Sequence, residues 1–187
     1  MNKRPINILN NAVILLSGPI DNCKDDGIGI RKEIIQKCRA VGIKAQFLDP
    51  TDKPTNGFKE VGEEKQKLFQ LKQEGQFSRV TQIATSFRYQ DLRMVDISDI
   101  VIAYVNQNIH MCGTYEELYR AKQLDRKMFV IVDGGMAYMP NWLFGVFSSD
   151  EVFESVDSCV QRLSEINKGE YEFDTKYVQT KSLLEEK

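Results

Sequence analysis

The sequence predicts an α/β fold: one domain built on a parallel sheet with helices on both faces (Rossmann/flavodoxin-like). Short continuous apolar runs end in Ser, Gly, Pro or Asp, which is how strands buried on both faces look. Stretches with apolar residues at helical spacing lie between those runs, giving a βαβ alternation. At 187 residues, with 42% hydrophobic and 28% charged side chains, the chain suits one domain better than two. Residues 1–187 are therefore expected to form a single domain with its core at about 12–166, a polar insertion at about 51–78 and a tail at 167–187.

The first strand is expected at residues 12–16, running into Ser17-Gly18-Pro19. After a polar loop with Gly27 and Gly29, the set Ile30, Ile34, Ile35, Cys38 and Val41 predicts a helix that Gly42 stops. Residues 43–48 predict a second strand, ended by Asp49-Pro50. Residues 51–78 are Lys/Glu-rich and punctuated by Pro54, Gly57, Gly62 and Gly75, with an exposed helix over 63–74. A helical segment then passes Phe87, Leu92 and Val95 to a third strand at 99–105. Gly113-Thr114 is expected to open a helix carrying Leu118, Ala121 and Leu124 on one face, and 128–132 is the fourth strand. Val156, Cys159, Val160, Leu163 and Ile166 mark a last amphipathic helix.

Composition excludes several classes. Lys and Arg number 25 against 27 Asp and Glu, so a net charge of −2 offers no broad basic surface for polymeric nucleic acid. The longest strongly apolar run falls far short of the roughly 20 residues of a membrane-spanning helix. Asn7, Asn10 and Asn11 interrupt any signal-like segment after the basic start, so a cytoplasmic location and no membrane partner are expected. Cys23, Cys38, Cys112 and Cys159 are widely separated and form no C-x-x-C pair, which predicts free thiols and no metal site. No cofactor is expected.

Ligands of such sheets bind beyond the carboxyl ends of the strands. Three segments there or nearby could carry chemistry. Ser17-Gly18-Pro19-Ile20 lets backbone N–H groups approach a ligand, or is a plain turn. Tyr89-Gln90-Asp91-Leu92 places Asp91 on a helix eight residues before Asp99; alone, Asp91 reads as solvated and Asp99 as a turn or cap residue. Gly113-Thr114-Tyr115-Glu116-Glu117-Leu118 opens a helix, and Thr114 three residues before Glu117 fits a capping box as well as it fits catalysis, with Glu116 the solvated member of the acidic pair.

Together and in order, these pieces resemble the nucleoside 2-deoxyribosyltransferase family. The matching pattern is S-G-P-I after the first strand, D-L on the helix before S-D-x-V-I-A, then G-T-x-x-E-x-x-x-A. Pro140-Asn141-Trp142-Leu143-Phe144-Gly145-Val146 and Ser149-Asp150 extend the likeness, which spans roughly 13–166 and is most specific over 91–121. The resemblance implies that Glu117 is the nucleophile and Asp91 a sugar contact. It also implies substrate contacts from Ser17, Gly18, Pro19, Ile20, Asp99, Gly113, Thr114 and Asn141, and a homodimer or larger assembly with pockets near subunit interfaces, where the aromatic tail would complete a neighbour's pocket. The family's transferases carry a base-protonating aspartate two residues before the glycine of the G-T block. Met111 stands there in this chain.

Such a carboxylate attacks the anomeric carbon through an oxocarbenium-like transition state while a proton donor neutralises the leaving base. A helix N-terminus beside Glu117 is expected to keep it ionised. With Met111 unable to donate, His110, Glu116, Cys112 or a water remain as acids; His110 ranks first because imidazole ordinarily titrates nearest neutral pH. Related enzymes hydrolyse deoxynucleoside 5′-monophosphates, and Arg31 or Arg88 would then meet the phosphate. The expected function is cleavage of the N-glycosidic bond of nucleosides or nucleotides. The missing aspartate inclines the choice toward hydrolysis or an unusual base. The alternatives are a 5′-monophosphate N-glycosidase and a non-catalytic nucleotide sensor in which Glu117 is only a helix cap; cleavage of a nicotinamide dinucleotide ranks below both.

Overall fold

The computed structural model describes residues 7–53 and 59–171. Their order is β1 (Val13–Ser17), α1 (Ile28–Ala40), β2 (Gln46–Leu48), α2 (Gly62–Gln73), α3 (Phe77–Ile97), β3 (Ile100–Val105), α4 (Cys112–Gln123), β4 (Lys127–Val132), β5 (Val152–Phe153) and α5 (Val156–Asn167). Among the described residues the strands form one five-stranded sheet in the order β2-β1-β3-β4-β5, and each neighbouring pair is parallel. This is the flavodoxin-like order, with its reversal between β1 and β3.

The strand sequences explain the layers. Successive side chains of a strand point to opposite faces, so Ile100 and Ile102 of β3 pack with Ile34 and Cys38 of α1 and with Cys159 and Leu163 of α5. Val101, Ala103 and Val105 pack on the other side with Val95 of α3 and with Leu118 and Ala121 of α4. Helices thus cover both faces. α2 packs on α3 rather than on the sheet and buries only Leu71, as its polar sequence requires.

Two elements differ from expectation. β2 is half its expected length because the residues before it terminate α1. Gly42, at φ +86°, donates to Arg39 O at 3.0 Å, and Ile43 donates to Cys38 O at 3.0 Å, the paired bonds of a Schellman cap. β5 escapes sequence reading because two residues carry no period; Phe153 pairs beside Ile131 and stacks edge-on against Phe129 with ring centroids 5.7 Å apart.

Arg31 sets the loop that follows β1. Its side chain rises from α1 into the interior, 1% exposed. Its guanidinium donates to four backbone carbonyls, those of Leu16 at 3.2 Å, Gly18 at 2.7 Å, Pro19 at 3.4 Å and Gly27 at 2.9 Å. Asp49 lies 3.6 Å away and balances the charge. Gly27 closes this arrangement at φ +69°, where a Cβ would sit 2.2 Å from Pro19 O. The expectation that Arg31 meets a substrate phosphate is therefore corrected: its donors are committed to holding the chain.

Replacing Arg31 by Met leaves buried carbonyls without donors and should destabilise the fold by about 3–5 kcal/mol. Urea denaturation measures this. Lys should restore little, because an ammonium lacks the planar fork. A loss below about 1 kcal/mol would mean that the carbonyls find other donors.

Candidate active site

The reversal of strand order opens a crevice beyond the carboxyl ends of β1 and β3. Ser17 ends β1 and faces it, the loop at 106–111 bounds it, and the start of α4 forms one wall. Two cavities occupy this crevice. The larger, about 470 Å³, is lined on one side by Val80, Ala84, Phe87 and Leu92 of α3. The smaller, about 110 Å³, lies under Gly18, Pro19, Ile20 and Asn22, with His110, Met111 and Thr114 opposite. Glu60, Asp91, Cys112, Gly113 and Glu117 line both.

Glu117 stands where they meet. It is 8% exposed, and its Oε2 accepts a hydrogen bond from the Ser17 hydroxyl. No side chain caps α4, whose N-cap is Met111. The capping box between Thr114 and Glu117 is thus not formed, because the helix begins at Cys112 and turns the Glu117 carboxylate toward β1 instead. The same shift moves Glu117 into the second turn, beyond the reach of the helix-terminal dipole. Burial dominates there and raises its carboxyl from about 4.5 to about 7, against the lowering effects of the Ser17 hydroxyl, Arg31 and Lys53. The expectation that the helix end keeps it fully ionised gives way to a carboxyl poised near neutrality.

Lys53 and Glu60 join this centre from the polar insertion, where nothing in the sequence marked them. The Lys53 ammonium, its side chain 2% exposed, lies 2.6 Å from Asp91 Oδ1 and 2.6 Å from Glu60 Oε2. It also sits 5.7 Å from the centre of the Phe87 ring. One ammonium thus serves two carboxylates, with a third at Glu117 nearby. Burial raises both partners, and Asp91 further raises Glu60. The Lys53 ammonium opposes both shifts, and Glu60 is still pushed up to about 7.

The remaining candidates divide. Ser17, Gly18, Pro19, Ile20, Asp91, His110, Gly113, Thr114 and Glu117 converge on the crevice. A Cβ at Gly113 would meet nothing within 4 Å, so that position faces open space. Arg88 reaches only the larger cavity, paired there with the Glu116 carboxylate at 2.8 Å, so both are engaged at its mouth. Asp99 does not belong: it precedes β3 at the amino end of the sheet, where its Oδ2 accepts from Val13 N at 2.8 Å and ties β3 to β1. Asn141 is exposed in the 3-10 helix Asn141–Gly145 after β4 and lines neither cavity. Met111 is buried in the apolar cluster, 3% exposed, which removes any polar group from that position.

Among the described residues, no group of three or more His, Cys, Asp and Glu is arranged to hold a metal ion, and no helix is long and apolar enough to cross a membrane. The tail residues 172–187 lie outside the described residues.

No protein-family model matches the chain, and no curated protein matches it in sequence. Among solved structures, the 2-deoxyribosyltransferase of Bacillus psychrosaccharolyticus superposes with a TM-score of 0.56 at 15% identity, covering 80% of this chain and 90% of that one. A conserved protein from Enterococcus faecalis V583 superposes with a TM-score of 0.55 at 12% identity, covering 83% of this chain and 99% of that one. At these identities the likeness is one of fold.

The raised carboxyl of Glu117 makes stability pH-dependent with a definite sign. Its protonated form is favoured in the folded chain, so its contribution is fully present below about 4.5 and is lost as pH rises through about 7. Glu117→Gln should therefore stabilise the fold by up to about 3 kcal/mol at pH 8, and the gain should fade toward about pH 5. Urea denaturation at several pH values reads this directly; a gain independent of pH would contradict it.

Proposed function

We propose that this chain is an enzyme that cleaves the N-glycosidic bond of nucleosides, passing the sugar through a covalent ester on Glu117. The observation that carries the reading is the position of that carboxylate: buried beneath the Ser17 hydroxyl, where the two cavities meet at the switch point of the sheet. The larger cavity, about 470 Å³ with apolar and aromatic walls, has the size and character to take a base. The smaller one, lined by Asp91, Asn22 and Thr114, suits sugar hydroxyls.

In this reading the Glu117 carboxylate attacks the anomeric carbon as the bond to the base breaks, and Ser17 holds the carboxylate for that attack. Asp91, fixed by Lys53, accepts from a sugar hydroxyl. Transfer to a second base and hydrolysis by water differ only in what then opens the ester.

The 5′-monophosphate reading is less favoured. The small cavity is lined by Asp21, Glu60, Asp91 and Glu117, and Arg31 is spent on backbone carbonyls. The sensor reading requires Glu117 to serve as a helix cap, and its carboxylate faces Ser17 instead. We further read the protein as cytoplasmic and as acting in a homo-oligomer.

The test is incubation with a panel of nucleosides and their 5′-monophosphates, with and without a second free base, resolving products by chromatography. A new nucleoside marks exchange, and free sugar marks hydrolysis. Glu117→Ala should reduce turnover roughly thousandfold or more, and mass spectrometry of a quenched reaction should find the sugar on Glu117. Binding without turnover of any compound would overturn the reading in favour of a sensor.

A further inference from the structure

We propose that Glu60 is the general acid that protonates the leaving base, and that Lys53 positions it. This assignment rests on the N-glycosidic reading of the site. Met111 leaves the loop after β3 without a carboxyl at the position expected to do this work, so the proton must come from elsewhere in the crevice.

Glu60 meets the geometric requirements. It lines both cavities, so its carboxyl borders the place where base and sugar join. Its side chain is 15% exposed, shielded yet reachable. Lys53 Nζ holds Glu60 Oε2 at 2.6 Å and Asp91 Oδ1 at 2.6 Å, so the two carboxyls flank one ammonium. His110, by contrast, is exposed and lines only the smaller cavity of the two.

The charged and titratable groups that line the two cavities with Glu60 are Asp91 and Arg88 from α3, Glu116, Glu117 and Cys112 from α4, Asp21 from the loop after β1 and His110 from the loop after β3, with Lys53 of the insertion bonded to Glu60. Burial first, and then the Asp91 carboxylate, push the Glu60 carboxyl up, while Lys53 stabilises the carboxylate once the proton has left.

The step balances as follows. A Glu117 carboxylate oxygen forms a bond to the anomeric carbon, and the carbon–nitrogen bond breaks with its electron pair going to the base. The Glu60 proton moves to that base, leaving Glu60 as a carboxylate beside the Lys53 ammonium. In the second half, water or an incoming base attacks the sugar and gives its proton to Glu60. The ester bond breaks, and its electron pair returns to Glu117.

A leaving group that needs no proton separates this role from a structural one. Wild type and Glu60→Gln are compared on ordinary nucleosides and on two activated substrates: a purine nucleoside methylated at N7 and a 4-nitrophenyl deoxyriboside. The variant should lose roughly 10²–10⁴-fold in kcat/KM on ordinary nucleosides but stay within about threefold on activated ones. The alkaline fall of the pH profile should disappear with it. Equal losses on both kinds of substrate would overturn the assignment while leaving Glu117 chemistry intact. If wild type accepts neither activated substrate, the pH profile decides: an alkaline limb retained in Glu60→Gln overturns the assignment, and its loss supports it. Failure of wild type to turn over any nucleoside would overturn both this assignment and the function beneath it.

Discussion

A parallel strand cannot be followed directly by its neighbour; the chain must cross over one face of the sheet and return. Here the chain leaves β1 to lay β2 on one side, then comes back to place β3 on the other. Because α1 and α3 consequently cover opposite faces, nothing fills the gap beyond the carboxyl ends of β1 and β3. Every feature of the candidate site depends on that gap. Ser17 is in it because β1 ends there, and Glu117 is in it because α4 starts after β3 and leans back toward β1. Arg31 keeps it open from beneath by tying the loop after β1 to the start of α1.

Electrostatics inside the gap follow from a shortage of positive charge. Glu60, Asp91 and Glu117 are gathered around one ammonium, and the Arg31 guanidinium is turned away toward backbone carbonyls. Removing carboxylates from water without full compensation moves the balance toward their neutral forms. Glu60 and Glu117 are pushed up to about 7 and Asp91 is raised, the kind of perturbation that gathers where side chains exchange protons.

Much of the framework could be read from residue order, because its signals are local. The strands expected at 12–16, 99–105 and 128–132 lie within a residue of Val13–Ser17, Ile100–Val105 and Lys127–Val132. The strand expected at 43–48 starts too early because Ile43 looks like a strand residue yet serves as the apolar end of a helix cap. At the site, Asp91 and Glu117 could be singled out by their place in an ordered pattern. Lys53 and Glu60 could not: in a Lys/Glu-rich stretch, a charged side chain that will be buried has the same local surroundings as one that stays in water. Asp99 and Arg31 show the converse, polar residues that look functional but whose bonds go to the backbone. Which polar residues face a ligand is decided by long-range packing, and periodicity carries no trace of it.

The origin of Lys53 and Glu60 divides the centre into two parts with different freedoms. Ser17 and Glu117 are fixed by the sheet and by a helix packed on it, and cannot change place without disturbing the core. Lys53 and Glu60 come from a segment whose own helix buries a single side chain. Substitutions in that segment can adjust the proton affinity of the neighbouring carboxyls while the scaffold stays as it is. A descendant of this chain can therefore retune the charge balance of the crevice through the insertion alone, without first having to find a new way to fold.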